Sequence, residues 1–403
     1  MQRRGETCRV CAVRVLLLSP LRRLDPPNGD VTYTEQLLSS PPSGVEYVDY
    51  QTALKEGTLL PRGDRAEVRA ALGPLKLAPT SRAGAAKIVN AARRRELLFR
   101  EPFRFFTVRR GAFDLVHTHV FSVGYRGDWP PIVVSNSVAI EALYRDGLSW
   151  SKARVRWASG VDRSLAEILD VDHSSYRKSS AARFIAFTQH LKEWWVDQGV
   201  IRSEEIDVVP CTVEPQPMRA LKATPRVIGF FAGAPMVKGF DRALKVYQRV
   251  RQDRKDVELW AIGSEDVASR KEAASAPGVR WVGRRPRAAL LQHVLPQVDV
   301  LLHPTRFDGL PLSVLEAMSV GVPVVSSDYG ALPEVVGEAG RAVGGIPEAI
   351  SAVADLLSRD FNAQVSHAAW GRQRRYFAPD AVLPSLLGSY ERAVDGGARL
   401  PDE

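Results

Sequence analysis

"HPTRFDGLPLSVLEAMSVGVPVVSSDYGALPEVV", residues 303–336, decides how the chain is read. The run VDVLLHP that leads into it is almost continuously apolar, as a strand buried on both faces requires. Residues 305–311 then form a loop at the carboxyl end of that strand. Pro311 suits the first position of a helix, and PLSVLEAMSV runs helically until Gly321 stops it. The run from Pro323 to Ser326 resumes as a strand. Strand, loop, helix, strand is the repeating unit of an α/β fold with a parallel sheet.

Working outward, the same alternation fills both halves of the chain. In the first half the strands are expected at Val13 to Leu18, Val45 to Val48, Leu115 to His117, Ile132 to Ser135, Phe184 to Phe187 and Ile206 to Val209. In the second they are expected at Val227 to Phe231, Leu259 to Ile262, Arg280 to Val282, Val298 to Leu302 and Pro323 to Ser326. The intervening PCTVEPQPMRALKATPRV carries four prolines and reads as a linker. The expected division is a first domain over residues 1–215, a second over 216–380, and a C-terminal helix and tail over 381–403. Two doubly wound Rossmann-like sheets joined in this way face each other across a cleft at the carboxyl ends of their strands, where ligands bind.

Composition narrows the classes. At 403 residues, with 45% hydrophobic and 25% charged side chains, the chain has the usage of a globular protein of two domains. No apolar run reaches the ~18 residues of a membrane span. Three cysteines are too few for a disulfide framework, and with no secretory leader they point to a cytoplasmic location. Cys8 and Cys11 form a lone CxxC without a second ligand pair, so neither metal nor cofactor is expected. Residues 1–12 read as a loose tail, or as a start assigned too early. The net charge of +9 would suit nucleic acid, but no RNP, helix-turn-helix or zinc-finger pattern accompanies it, and no nucleic-acid partner is expected. A G-x-G-x-x-G after an opening strand, the mark of a nicotinamide enzyme, is also missing.

Asp308 and Glu316 stand eight residues apart, roughly 12 Å along a helix if the full rise applied. That exceeds the ~5 to 9.5 Å of a glycosidase pair, so the two acids suit different parts of one extended ligand better than acid and base on one bond. Between them the N–H groups of Gly309, Leu310 and Leu312 offer an anion cradle at a helix start. Sugar, diphosphate and ribose in that order would fit.

At these residues a family resemblance is carried. FDGLPLSVLEAMSVGVPVVSSDYG resembles the Glu-x7-Glu region of family 4 retaining glycosyltransferases, with Asp308 in place of the first Glu. FDLVHTHVF, FIAFTQHLKEWWVDQGVIRSEEIDVVPCTVEP and FFAGAPMVKGFDRALKVYQRV are similar to further segments of that family, in the same order. The resemblance implies the GT-B fold and transfer of a sugar, with retention, from a nucleotide-diphosphate sugar to a glycan, lipid-linked or small-molecule acceptor. It implies no metal and no protein nucleophile. Asp308, Lys238 and His119 take the catalytic positions. Glu316 binds the ribose, and Gly233, Gly309, Leu310, Pro311 and Leu312 belong to the donor side.

Besides Asp308, further positions depart from the family, among them Gly29-Asp30 where a paired glycine often opens the acceptor loop. Ala234 stands where an Arg usually pairs with Lys238 on the diphosphate, which makes Arg284 and Arg306 the substitute candidates. Ser137 stands where the active-site His is expected, and it is placed with Gly29 on the acceptor side. These departures keep a second reading in view, a catalytically degenerate GT-B protein that binds nucleotide or glycan without turnover.

Plainer roles stand beside the chemical ones. His117 is expected to be structural, His303 to line the cleft or cap a loop, and Glu334 to offset the dipole of its own helix. Residues 82–110 hold nine basic side chains against two acids, interleaved with four Phe. That mixture suits an anionic membrane surface and implies a peripheral location on the inner face of the cell membrane.

Overall fold

The computed structural model describes residues 13–18, 29–61, 106–119, 129–137, 145–146, 149–157, 182–197, 199, 201–231, 233, 235–263 and 276–397. Three sequence readings therefore lie outside the described residues: the CxxC, Ala234, and residues 82–105 of the basic aromatic segment.

Strands β1 (Val13–Leu18), β2 (Val45–Asp49), β3 (Leu59–Pro61), β4 (Phe106–Val108), β5 (Leu115–His119), β6 (Ile132–Asn136), β7 (Arg183–Ala186) and β8 (Ile206–Val208) lie in the first half. The second half contributes β9 (Val227–Phe231), β10 (Glu258–Ile262), β11 (Val279–Gly283), β12 (Val300–His303), β13 (Val324–Ser327) and β14 (Gly340–Val343). Two six-stranded sheets result, in the orders β2-β1-β5-β6-β7-β8 and β11-β10-β9-β12-β13-β14. Every pairing within them is parallel. In each sheet the order reverses beside its first strand in chain order, which is the switch point where a doubly wound sheet opens a crevice.

Alternate residues of each strand feed opposite layers, as the period of two demands. Val15 and Leu17 pack into one core while Leu16 and Leu18 pack into another. In the second half Ile228 and Phe230 face the helices Phe240–Asp253 and Ile346–Leu356. Covering both faces is why these strands read as continuous apolar runs.

The helix Leu312–Ser319 starts one residue later than expected, because Pro311 takes the cap position with an extended ψ of 108°. Gly321 follows it at φ 80°, a left-handed stop available to Gly at no steric cost. The predicted linker is well anchored. Arg219 is buried against Asp299, Asn362, Ser366 and the Gly321 carbonyl, while Asp299 also accepts from the N–H groups of Arg226 and Val227.

The chain ends by returning to the first half. Helix Pro379–Gly397 places Val382, Leu386, Tyr390 and Ala393 in the core under β5, β6 and β7. Among the described residues no helix is long and apolar enough to cross a membrane.

Candidate active site

The carboxyl edge of the second sheet gathers most of the chemistry. β12 ends at His303, and the loop after it carries Asp308 into a mostly buried position, 12% exposed. Lys238, the last residue of the short helix Pro235–Lys238, donates to Asp308 Oδ2. His303 Nε2 lies 2.9 Å from the same oxygen. Burial alone would push the Asp308 carboxyl up; the Lys238 ammonium and His303 outweigh it and hold the carboxyl well below the usual carboxylate range. His303 thus supports the acid from beneath instead of capping a loop.

Eight residues on, Glu316 is buried in the helix Leu312–Ser319 and accepts from Arg287 Nε at 2.8 Å. Burial raises its pKa, and Arg287 offsets that only in part. The two acids therefore answer to different cations. Between them, no hydrogen bond among the described residues reaches the N–H groups of Gly309, Leu310, Leu312 or Ser313. These donors, together with the helix start, form the polar run that an anion would need.

Other predicted residues are distributed around this centre. Gly233 follows β9 and is exposed, and Arg284 is exposed directly after β11. Arg306 does not offer its guanidinium to the cleft. It donates to both Asp241 oxygens, at 2.8 and 2.7 Å, and to the Met236 carbonyl at 2.6 Å. Because its backbone N–H also meets the Val237 carbonyl, Arg306 holds the Pro235–Lys238 turn against the Asp308 loop. These contacts tie it to the turn that carries Lys238.

In the first half Gly29 begins the helix Gly29–Ser39. Ser137 follows β6 and faces the second half across a small cavity of about 40 Å³, shared with His190, Trp194, Asp308, Gly309 and Tyr329. His117 and His119 both lie inside the sheet, 0% and 3% exposed. His119 stacks on Phe187 and meets Ser135 Oγ at 2.9 Å.

Glu334 corrects its reading. Although it sits in the first turn of Leu332–Val336, its carboxylate accepts from the N–H groups of Gln189 and His190, at 3.2 and 3.4 Å, where helix Gln189–Asp197 of the other half begins. It caps a helix across the cleft. Tyr329 makes a second bridge by donating to Asp146 Oδ2 at 2.7 Å.

Arg287 and the Glu334 bridge escaped the sequence reading because both depend on tertiary contacts spanning 29 and about 145 residues. A signal did exist for the first sheet: His117, Thr118, His119, Ser135 and Asn136 are polar residues in otherwise apolar central strands. Among the described residues no cluster of three or more His, Cys, Asp or Glu is placed to hold a metal.

Residues 225–359 match the family described as "Glycosyl transferases group 1". The amylovoran biosynthesis glycosyltransferase AmsK of Erwinia amylovora is 28% identical over 150 residues, 33% of this chain and 36% of that protein. The MMP alpha-(1->4)-mannosyltransferase of Mycolicibacterium hassiacum is 26% identical over 324 residues, 72% of this chain and 73% of that protein. Anabaena HepE, solved in complex with UDP and glucose, superposes with a TM-score of 0.57 at 14% identity, covering 94% of this chain and 99% of its own. The match thus spans about a third of one relative and nearly three quarters of the other. Residues 225–359, about a third of this chain, match a glycosyl transferases group 1 domain and lie in the second half of a GT-B fold.

Proposed function

We propose that the chain transfers a glycosyl group, with retention, from a nucleotide-diphosphate sugar held by the second half to a sugar or lipid-linked acceptor held by the first. The observation that carries this reading is the run from Asp308 to Glu316: an acid held ionised by Lys238, a row of free backbone donors, and a buried acid paired with Arg287. Sugar hydroxyls, diphosphate and ribose would meet these groups in that order. Lys238 and the helix start then stabilise the negative charge of the departing diphosphate, while the fold brings the acceptor to the same face. The acceptor oxygen bonds to the anomeric carbon as the bond to the diphosphate breaks, and its proton passes to the leaving phosphate oxygen, so neither a protein nucleophile nor a protein base is needed. Names of the relatives point the same way, to a glycosyltransferase, a mannosyltransferase and a protein solved with UDP and glucose.

Ser137 and Ala234, at positions where the family carries His and Arg, favour a second reading, nucleotide or glycan binding without turnover. One experiment separates the two. A panel of nucleotide sugars should raise the melting temperature of the purified chain, and the stabilising donor should be consumed in the presence of acceptor glycans. Lys238→Ala should lower that turnover by about 100-fold or more, as loss of one preorganised charge does. Stabilisation without consumption supports the binding reading, and turnover within twofold of wild type in the variant would remove Lys238 from the diphosphate site.

The basic aromatic segment at residues 82–110 is proposed to bring the first half to an anionic membrane, at ~1 kcal/mol per engaged basic residue. Salt-reversible pelleting with anionic but not neutral vesicles is expected, and it should be lost when Arg93, Arg94 and Arg95 become Ser. No pelleting at low salt would end the idea.

A further inference from the structure

The cavity of about 40 Å³ between the halves brings a histidine of the first half up to the Asp308 loop. Thr188 caps helix Gln189–Asp197 by accepting from the Leu191 N–H at 3.2 Å, and Glu334 accepts from the His190 N–H at 3.4 Å. The backbone at His190 is therefore held from both halves. Its ring is exposed and lines the cavity. A Cβ at Gly330 would lie 3.8 Å from His190 Nε2 and 3.8 Å from the Asp308 carbonyl oxygen, so the Nε2 edge of the ring is turned toward the loop that carries the acid. Among the described residues neither the His190 ring nor the Ser137 hydroxyl has a hydrogen-bond partner, whereas Lys238 and His303 meet Asp308 and Tyr329 meets Asp146.

Size and charge limit what can enter. A water molecule takes up about 30 Å³ of the liquid, so the cavity admits one hydroxyl or hydroxymethyl group and not a whole ring. Trp194, Phe307 and Tyr329 wall it, and His190, Ser137 and Asp308 supply its polar ends. Few polar groups among aromatic walls suit a pyranose edge, which has apolar C–H faces and hydroxyls around its rim. The Asp308 carboxyl is held ionised, and the Glu334 carboxylate occupies the helix start at His190. No Lys or Arg lines the cavity, and Lys238 and Arg145 beside it are paired with Asp308 and Asp146. A carboxylate or phosphate brought here would face two anions, while a neutral hydroxyl can accept from one group and donate to another.

We propose that His190 is an acceptor-binding residue: its ring holds a non-reacting hydroxyl of a neutral sugar acceptor in this cavity and so sets the acceptor beside the donor sugar at Asp308. The inference rests on the glycosyl-transfer reading above and narrows the entering group of its acceptor to a neutral sugar. His190 takes no proton in this role, since the proton of the reacting hydroxyl leaves with the phosphate.

The test is saturation-transfer NMR on the full chain, with a panel of neutral hexose disaccharides and the corresponding uronic acid disaccharides, in the presence of the nucleoside diphosphate that raises its melting temperature. At least one neutral disaccharide should bind, and its affinity should fall by about tenfold in His190→Ala, the upper end for one neutral hydrogen bond. Nucleotide affinity by calorimetry should stay as in wild type. His190→Gln, whose amide reaches the position of Nε2, should keep part of the sugar affinity. A nucleotide-loaded wild type that binds no neutral disaccharide would overturn the proposal and leave the donor site standing. Unchanged sugar affinity in His190→Ala would overturn it too, as would a uronic acid bound as tightly as its neutral counterpart. Loss of nucleotide affinity in a folded His190→Ala would move His190 to the donor and end the acceptor assignment. Where His190→Ala does not fold, His190→Phe, which keeps a ring without its nitrogens, must show the same loss of sugar affinity. A wild type that no nucleoside diphosphate stabilises would remove the glycosyl-transfer reading itself, and this inference with it.

Discussion

Glu316 is a carboxylate kept in an unfavourable place. Burial raises its pKa despite Arg287, so the folded state binds its proton more tightly than the unfolded chain does. Stability therefore falls as pH rises from the unfolded value through the folded one, and this loss is complete at higher pH. Glu316→Gln removes the loss. The variant should melt at or slightly above the wild-type temperature at neutral pH, with a gain of up to about 1 kcal/mol that disappears in acid. In the same variant nucleotide affinity should drop by about 1.5 to 3 kcal/mol, the worth of a hydrogen bond to a charged group. Calorimetry and thermal melts on one preparation check both. Unchanged affinity in a folded variant would sink the ribose assignment, and a destabilised variant would show that Arg287 more than repays the burial. Asp308 is the opposite case: its pKa is depressed, so its contribution is present above the unfolded value and is lost only as pH falls through the folded one.

Among the elements, the turn that delivers Lys238 is held with little tolerance. Gly239 links Pro235–Lys238 to Phe240–Asp253 at φ 80°, and a Cβ there would meet the Pro304 carbonyl oxygen at 2.2 Å. Backbone cannot yield as a side chain would. Gly239→Ala should cost about 2 to 4 kcal/mol from left-handed strain and the clash together. It should also weaken nucleotide-sugar binding, because the turn must part from the loop that carries Asp308. A wild-type melting temperature and affinity would contradict this account. The sequence made most strands legible, since an apolar run between polar loops has no other stable place than a parallel sheet covered on both faces. It hid β3 and β4, an antiparallel pair of three residues each that includes Pro61, and β14, whose GRAV is only partly buried. Site residues followed the same division. Asp308, Lys238 and Glu316 were readable because motif order carries them. Arg287 was not, because no spacing rule connects residues brought together only by the packing of two elements. The pairing of Arg306 with Asp241 was also hidden, because the two residues stand 65 apart in the sequence.

At the scale of the whole molecule, the halves share a hydrophobic cluster, and among the polar contacts between them in the described residues Glu334 is the one most open to test. Its carboxylate meets two N–H groups at the start of helix Gln189–Asp197, where unpaired donors and the positive end of the helix dipole favour an anion. Phe307, Asp308 and Tyr329 line the adjoining cavity, so this cap lies beside the proposed reaction site. Domain closure in a two-lobed enzyme excludes water and completes the site, and a cap that exists only when the lobes meet stabilises the closed form alone. Glu334→Ala should shift the balance toward the open form by about tenfold, from loss of roughly 1.4 kcal/mol of charge-assisted bonding. Glu334→Gln keeps an acceptor oxygen and should fall between. Small-angle scattering should show a larger radius of gyration in Glu334→Ala, drawn back toward wild type by a saturating nucleotide sugar, and the apparent affinity for that donor should weaken. The melting temperature should change little, because the hydrophobic cores do not include this contact. Scattering profiles that coincide with and without ligand in wild type and variant would show that the halves are held by the C-terminal helix and its Tyr390 contacts, with Glu334 contributing nothing to closure.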